Sequence, residues 1–135
     1  MISIKHVPIE LVAQVWPRAK PFIEMGLQYA TAYNIDHAEA YLANGSWVLL
    51  VAVDEKNEVE GAYAMTFQNH PGSRVAFIVS AGGKGLAGQD AFDQVKNIAQ
   101  VMGATKIQVL ARESAARLYK RVGLEEKATL MEIKL

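Results

Sequence analysis

"FIVSAGGKGLAGQD", residues 77–90, is the stretch that decides the fold. An apolar run that is typical of a strand passes directly into a loop with four glycines between Gly82 and Gly88. Glycine has no Cβ, so a loop this rich in glycine before a helix predicts a ligand that approaches the main chain. The sequence of this loop can be interpreted as either of two motifs. One is G-x-G-x-x-G from Gly83, the dinucleotide-binding fingerprint, and the other is G-G-K-G-L-A from Gly82.

Length and composition predict one globular domain over residues 1–135. Hydrophobic residues make up 51% of the chain and charged residues 21%, values typical of a folded protein. Fourteen basic and fourteen acidic side chains cancel, which gives no electrostatic basis for binding nucleic acid or an anionic membrane. The sequence contains neither a long apolar run nor a signal-like N-terminus, so we predict a cytoplasmic protein.

The sequence has few residues for thiol or metal chemistry. It contains no cysteine, which excludes disulfides, thiolate ligands and a cysteine nucleophile. His6, His37 and His70 are neither paired at ligand spacing nor grouped with carboxylates. No metal site is therefore predicted.

Hydrophobic periodicity predicts a mixed α/β fold in the order β-α-α-β-β-β-α-β-α-β. The segments that predict strands are Ile2–His6, Trp47–Val53, Val59–Phe67, Arg74–Val79, Lys106–Ala111 and Ala128–Leu135. The segments with helical spacing are 8–30, His37–Ala43, 86–102 and 113–122. A hairpin in the middle of the chain makes the predicted sheet mostly antiparallel, with helices flanking it.

Two features of the helices lead to specific expectations. Pro17 and Pro21 lie inside the first helical segment and are expected to divide it into two pieces with a bend. Asp36, with Glu39 three residues later, predicts a capping box at the start of the second helix.

The dinucleotide motif lacks its usual surroundings. That fold needs a parallel strand–helix–strand series, with an acidic residue ending the next strand. Here a hairpin precedes the loop, and the next strand, "KIQVLAR", leads into Arg112. We therefore favour the motif that begins at Gly82.

A second stretch supports that choice. "RESAARLYKRVGLEE", residues 112–126, resembles the fourth helix of the GNAT acetyltransferase superfamily, whose pattern is N-x-x-A-x-x-L-Y-x-x-x-G-F. The loop similarly resembles the superfamily's [QR]-x-x-G-x-[GA] turn. The matching residues are Ala115, Leu118, Tyr119 and Gly123 in the helix and Gly85 and Ala87 in the loop. Arg112, Leu124 and Gly82 depart from the two patterns.

The resemblance implies a coenzyme site as well as a fold. In that superfamily the strand before the loop splays from its neighbour, and its free backbone groups bind the pantetheine amides. The loop and the following helix N-terminus bind pyrophosphate. Acetyl-CoA is thus the implied co-substrate, and the implied binding residues are Phe77, Ile78, Val79, Gly82, Gly83, Lys84, Gly85, Leu86, Ala87 and Arg112.

The implied activity is transfer of an acetyl group to an amine by direct attack on the thioester. By the same resemblance, Tyr119 is expected to protonate the departing thiolate. The strand "RVAFIV" has no carboxylate, so Glu60 is the in-strand candidate for accepting the amine's proton. The aromatic residues expected near the acceptor are Trp16, Phe22, Tyr29 and Tyr33.

The departures from the motifs suggest a second interpretation. They resemble those of small acetyltransferase-like proteins encoded in bacteriophage genomes. The alternative is therefore a non-catalytic phage virion or accessory protein that retains the fold, located in the host cytoplasm or the virion. The predicted partners are acetyl-CoA and an unidentified amine acceptor, and a homodimer and phage virion proteins are left open as further partners.

Overall fold

The fold is described from a computed structural model, which covers residues 2–28, 32–86 and 88–135. The chain forms five strands, β1 Ser3–Val7, β2 Val48–Val53, β3 Val59–His70, β4 Ser73–Gly83 and β5 Lys106–Val109. The four α-helices are α1 Val12–Leu27, α2 Ile35–Ala43, α3 Gln89–Val101 and α4 Glu113–Arg121, and a short 3₁₀ helix at Ile9–Leu11 precedes α1. None of the helices in these ranges is both long and apolar enough to cross a membrane.

The strands form one sheet in which spatial order follows chain order, β1-β2-β3-β4-β5. Neighbouring strands are antiparallel except β4 and β5, which are parallel. One apolar core packs α1 and α2 against one face of the sheet, and a second packs α3 and α4 against the other. The predicted α/β class, a mostly antiparallel sheet flanked by helices, is confirmed.

Helix α1 is continuous, so the predicted division at Pro17 and Pro21 is wrong. Both prolines lie on its exposed face, where water can bind the carbonyl groups that lose a helical partner. The opposite face forms an apolar stripe against β3 and β4, and its burial stabilises the helix through both prolines. The buried residues of this stripe are Val12, Trp16, Ala19, Ile23 and Leu27.

Helix α2 is confirmed, but its predicted cap is wrong. The N-cap is Asn34, whose side-chain oxygen accepts a hydrogen bond from the His37 N–H at 2.9 Å. The His37 Nδ1 accepts in return from the Asn34 N–H at 3.2 Å. Histidine thus takes the reciprocal role that glutamate or glutamine has in the usual capping box, and the helix begins two residues before the predicted His37.

Two strand boundaries differ from the prediction in ways that concern function. Strand β4 extends to Gly83, four residues beyond the predicted end at Val79, because Ser80–Gly83 continue to pair with β3. The predicted last strand, Ala128–Leu135, is wrong: residues 124–135 have no regular secondary structure. The large apolar side chains of residues 128–135 are all exposed; they are Leu130, Met131, Ile133 and Leu135.

Candidate functional site

Strand β4 has two parts with different neighbours. Residues Ser73–Ile78 lie between β3 and β5, and Val75–Ile78 pair with Lys106–Val109 of β5. Residues Val79–Gly83 continue along β3 alone. We call Ser73–Ile78 the paired half and Val79–Gly83 the open half.

The separation of β4 from β5 begins at a β-bulge. Two consecutive residues of β3 pair with Ile78 and Ser80 of β4, so Val79 between them is the extra residue on β4. A bulge bends its strand and increases the local twist, and this accounts for the divergence of β4 from β5. The prediction that the backbone is already free at Phe77 and Ile78 is therefore wrong, because both residues have partners in β5.

Helix α1 supports the open half by close contact. The Ser80 hydroxyl donates a hydrogen bond to the Ile23 carbonyl at 2.7 Å, within the core. A Cβ on Gly26 would overlap the Ser80 Oγ, and a Cβ on Gly82 would overlap the Phe22 carbonyl oxygen. Glycine at both positions thus lets the helix and strand backbones touch. Gly82 lies in the strand and serves this packing, so its predicted place in the loop is wrong.

Gly83 also lies in the strand rather than in the loop. It pairs with Gly61 of β3 and has a φ of +119°, a value that L side chains rarely adopt. A Cβ at this position would overlap the Glu60 carbonyl oxygen and the Gly61 Cα. Close backbone packing therefore explains both adjacent glycines of the motif, Gly82 and Gly83, without a ligand.

The loop that connects β4 to α3 is Lys84–Gly88, of which Ala87 lies outside the described residues. Its first residue is fixed by a hydrogen bond from the Lys84 N–H to the Glu60 carbonyl at 3.1 Å. Its middle is fixed by the Tyr63 hydroxyl, which donates to the Leu86 carbonyl at 3.3 Å. The loop is thus attached to β3 at two points.

The loop ends at the N-terminus of α3, with Gly88 as N-cap and no side-chain cap. The first-turn N–H groups of a helix have no intrahelical partner and form the positive end of the helix dipole. The Lys84 side chain is exposed in the same loop and adds a positive charge. Asp90, exposed in the first turn, opposes it. The arrangement can bind an anion, and the Asp90 carboxylate weakens that binding.

Tyr63 and Tyr119 both pack in the second apolar core, on the α3 and α4 side of the sheet. Tyr119 of α4 packs edge-on against Phe92 of α3, with ring centroids 6.2 Å apart. Burial raises the pKa of Tyr119 to about 12. Burial, and to a smaller extent the charge of Tyr119, raises the pKa of Tyr63. Both phenols are therefore neutral at physiological pH and can donate a proton.

Strand pairing places Tyr63 beside the open half. Tyr63 is the β3 partner of Ala81, three residues beyond the end of the paired half. Sequence reasoning missed Tyr63 and Gly26. Two sequence features could have identified them: a tyrosine on the face of β3 that carries bulky side chains, and an isolated glycine inside a helical pattern.

Glu60 and Arg112 were also predicted as site residues, and the structure places them on two different elements. Glu60 precedes Gly61, the partner of Gly83, so strand spacing puts it roughly 15 Å along β3 from Val79. The structure therefore does not bring Glu60 beside the start of the opening. Arg112 is the exposed N-cap residue of α4, three residues after β5 ends.

The predicted acceptor-side aromatics are not one group. Trp16 is buried in the core under α1, Phe22 is half-buried at its border, and Tyr29 lies outside the described residues. Tyr33 is at the surface, where its ring meets the ring of Trp47 edge-on with centroids 4.9 Å apart. Only Tyr33 among the described three therefore presents an accessible ring surface.

A shallow groove of about 290 Å³ lies elsewhere, between β1 and α3. Its walls include the carboxylates of Asp90 and Asp93, which are unsuited to a phosphate ligand. Among the described residues, no three His, Asp or Glu side chains lie close enough together to hold a metal ion.

The whole architecture is that of the GNAT acetyltransferases. Three solved structures illustrate the similarity. An aminoglycoside acetyltransferase from an uncultured soil metagenomic sample, in complex with sisomicin, has a TM-score of 0.72 at 13% identity, covering 99% of this chain and 96% of that one. A ribosomal-protein-alanine N-acetyltransferase from Brucella melitensis biovar Abortus 2308 has a TM-score of 0.70 at 13% identity, covering 100% and 99%. A predicted acetyltransferase with acetyl-CoA from Clostridium acetobutylicum has a TM-score of 0.66 at 17% identity, covering 99% and 96%.

At these identities the similarity establishes the fold. No protein-family model matches the sequence, and a search of curated proteins finds no similar sequence.

Proposed function

We propose that this protein is an acyl-CoA-dependent N-acyltransferase that moves an acetyl group from acetyl-CoA to an amine. The observation that carries the proposal is the open half of β4, which has no pairing with β5 and lies beside the buried Tyr63, on the side of the sheet that also carries the half-buried Tyr119. A strand edge without a partner offers backbone donors and acceptors to a ligand that has amides of its own. The pantetheine arm of coenzyme A is such a ligand.

The coenzyme would bind along the open half and the loop after it. Backbone groups of Val79–Ala81 would pair with the pantetheine amides. The first-turn N–H groups of α3 and the Lys84 ammonium would bind the pyrophosphate. Tyr63 would keep the loop in place through its bond to Leu86. Phe77 and Ile78, in the paired half, would contact the coenzyme through their side chains and not through backbone hydrogen bonds.

The chemistry would need one proton donor at the sulfur. The amine nitrogen attacks the thioester carbonyl and forms the new C–N bond, and collapse of the tetrahedral intermediate breaks the C–S bond. The Tyr119 phenol would then give its proton to the thiolate, the amine would release one proton to water, and the phenolate would take one proton back from water. A pKa of about 12 keeps Tyr119 protonated until this step.

The acceptor is proposed only as an amine. The names of similar structures include an aminoglycoside and a ribosomal-protein alanine, which are chemically different acceptors. The exposed Tyr33 ring, near the α1 and α2 side of the sheet, would contact such an acceptor.

Thermal unfolding with acetyl-CoA tests the proposal. With a dissociation constant of about 10 μM, 1 mM ligand stabilises the folded state by about 2.7 kcal/mol. For a domain of this size the midpoint should rise by several degrees. An unchanged midpoint, in folded protein free of co-purified coenzyme, would contradict coenzyme binding and favour a non-catalytic protein.

A matched pair of glycine variants locates the binding. Gly85 in the loop and Gly72 in the β3–β4 turn have nearly the same backbone conformation, with φ values of +78° and +79°. Gly85→Val and Gly72→Val should therefore suffer similar backbone strain. Only Gly85→Val should lose the response to acetyl-CoA. Equal responses from the two variants would contradict binding at the loop.

A further inference from the structure

Helix α2 is short and is attached to the rest of the fold by few side chains. It has nine residues, and its buried side chains are those of Ala38 and Leu42. An isolated helix of this length is not stable in water. The first turn of α2 therefore relies on the hydrogen bonds of its N-cap, which satisfy backbone N–H groups that have no partner within the helix.

One of those hydrogen bonds requires a neutral histidine. The Asn34 N–H donates to Nδ1 of His37 at 3.2 Å, and this bond uses the lone pair of that nitrogen. In the imidazolium ion both ring nitrogens carry a proton, so the acceptor no longer exists. A histidine in water gains its second proton at about pH 6.5. Glutamine or glutamate, the usual residues at this position, would keep an acceptor at lower pH.

The charges near His37 act in both directions. The first turn of α2 is the positive end of its dipole, where a cation is unfavourable. Asp36 and Glu39, exposed on the same helix, attract a cation and oppose that effect. The charged side chains of α1, which packs against α2, are exposed as well; they are Arg18, Lys20 and Glu24. Among the described residues no ion pair includes His37, so the lost hydrogen bond decides the sign, and acid weakens the cap.

His37 also contacts an aromatic cluster, which consists of Tyr33, Tyr41 and Trp47. The rings of His37 and Tyr33 meet edge-on with centroids 6.4 Å apart, and those of Tyr33 and Tyr41 do so at 6.1 Å. Tyr41 belongs to α2, and its ring lies 5.0 Å from that of Trp47. Tyr33 directly precedes Asn34 in the chain. Loosening the cap would therefore also loosen the place of Tyr33 in the cluster.

We propose that Asn34 and His37 form a pH-sensitive cap, which holds α2 and Tyr33 in place while His37 is neutral and releases them when His37 is protonated. The cap needs neither coenzyme nor acceptor. One consequence rests on the proposed function: if Tyr33 contacts the amine acceptor, acid weakens acceptor binding and leaves coenzyme binding at the open half of β4 unchanged.

Amide hydrogen exchange of the full-length protein without ligand, at about pH 8 and about pH 5, tests the cap on either side of the histidine titration. His37→Gln keeps an acceptor at both pH values, and His37→Ala has none at either. Loss of a cap typically raises the population of the open helix about five-fold. Amides of α2 in the unmodified protein should exchange like those of His37→Gln at the higher pH. At the lower pH they should exchange about five-fold faster than those of His37→Gln, as in His37→Ala.

Each comparison is made at a single pH, so differences in intrinsic exchange rate cancel. His70→Gln is the matched control, because His70 is also exposed but lies at the end of β3 and caps no helix. It should exchange like the unmodified protein at both pH values. The proposal would be overturned if the unmodified protein matched His37→Gln at both pH values. It would also be overturned if His70→Gln slowed the exchange of α2 in acid as much as His37→Gln does. Neither result depends on catalytic activity, so the cap and the proposed function are tested separately.

Discussion

The paired and open halves of β4 show two ways of supporting one strand. The paired half has strands on both sides and buries apolar side chains such as Val75 and Ile78. The open half has a strand on one side only and consists mostly of small residues, Ser80–Gly83. Because those residues are small, α1 can lie directly on the strand backbone. Helix α1 thus supports this part of the strand from one face, and among the described residues its outer edge pairs with no strand.

The largest expected effect is on the helix contact that supports the open half. Gly82→Ala places a methyl group against the Phe22 carbonyl and should destabilise the protein by about 3 kcal/mol, the upper range for overpacking. The reciprocal change in the paired half, Ala76→Gly, should cost only about 1 kcal/mol. Urea denaturation measures both. Equal costs would mean that α1 does not support the open half as described.

The next effect is on turnover. Tyr119→Phe keeps the ring against Phe92 but removes the acid, so kcat should fall roughly 10²-fold while the KM for acetyl-CoA stays nearly constant. In the unmodified protein the pKa of about 12 predicts that the Tyr119 phenol loses its proton only as pH approaches 12. An ordinary tyrosine would already lose it near pH 10. If Tyr119→Phe lowered the free energy of unfolding by as much as it raised the activation free energy, the role of this tyrosine would instead be structural.

A smaller effect is expected from the loop attachment. Tyr63→Phe removes the hydrogen bond to Leu86, typically worth about 1 kcal/mol. The KM for acetyl-CoA should rise about five-fold, with kcat little changed, as steady-state kinetics would show. Tyr41→Phe, on the exposed side of α2, is the control and should leave both constants unchanged. An unaltered KM in Tyr63→Phe would show that this attachment does not position the loop.

The smallest effect concerns Glu60, which the structure places at the far end of the open half. Glu60→Gln should change kcat by no more than about two-fold, because the carboxylate is too distant to take a proton at Val79. The pH dependence of kcat should also be unchanged. A fall of roughly 10²-fold would restore Glu60 as the general base.

The sequence was sufficient for the order of most elements and for the class of fold, because the continuous apolar run of β2 and the helical periodicity of α3 are strong signals. It was misleading where tertiary contacts outweigh local preference. Burial of one stripe keeps α1 intact through two prolines, and pairing with β3 draws Gly82 and Gly83 out of the predicted loop. Residues 128–135 have a strand pattern but pair with no strand in the described part of the chain.

For the site, the family resemblance selected Tyr119, which is half-buried on the α3 and α4 side of the sheet and has a raised pKa; its role stays a prediction. It could not separate glycines that serve helix packing from those that face a ligand, since both are simply glycine in the sequence. Tyr63 was missed for a related reason. Tyr63 and Tyr119 are 56 positions apart in the sequence and share a core only because β3 and α4 pack on the same side of the sheet.

Amide hydrogen exchange with and without saturating acetyl-CoA tests the central claim most directly. If the open half binds the pantetheine arm, amides of Val79–Ala81 that face the opening should become protected on adding the coenzyme. Amides of Val75–Ile78, already paired with strands on both sides, should be unchanged. Protection spread equally over both halves, or confined to residues outside β4 and the loop after it, would contradict the account.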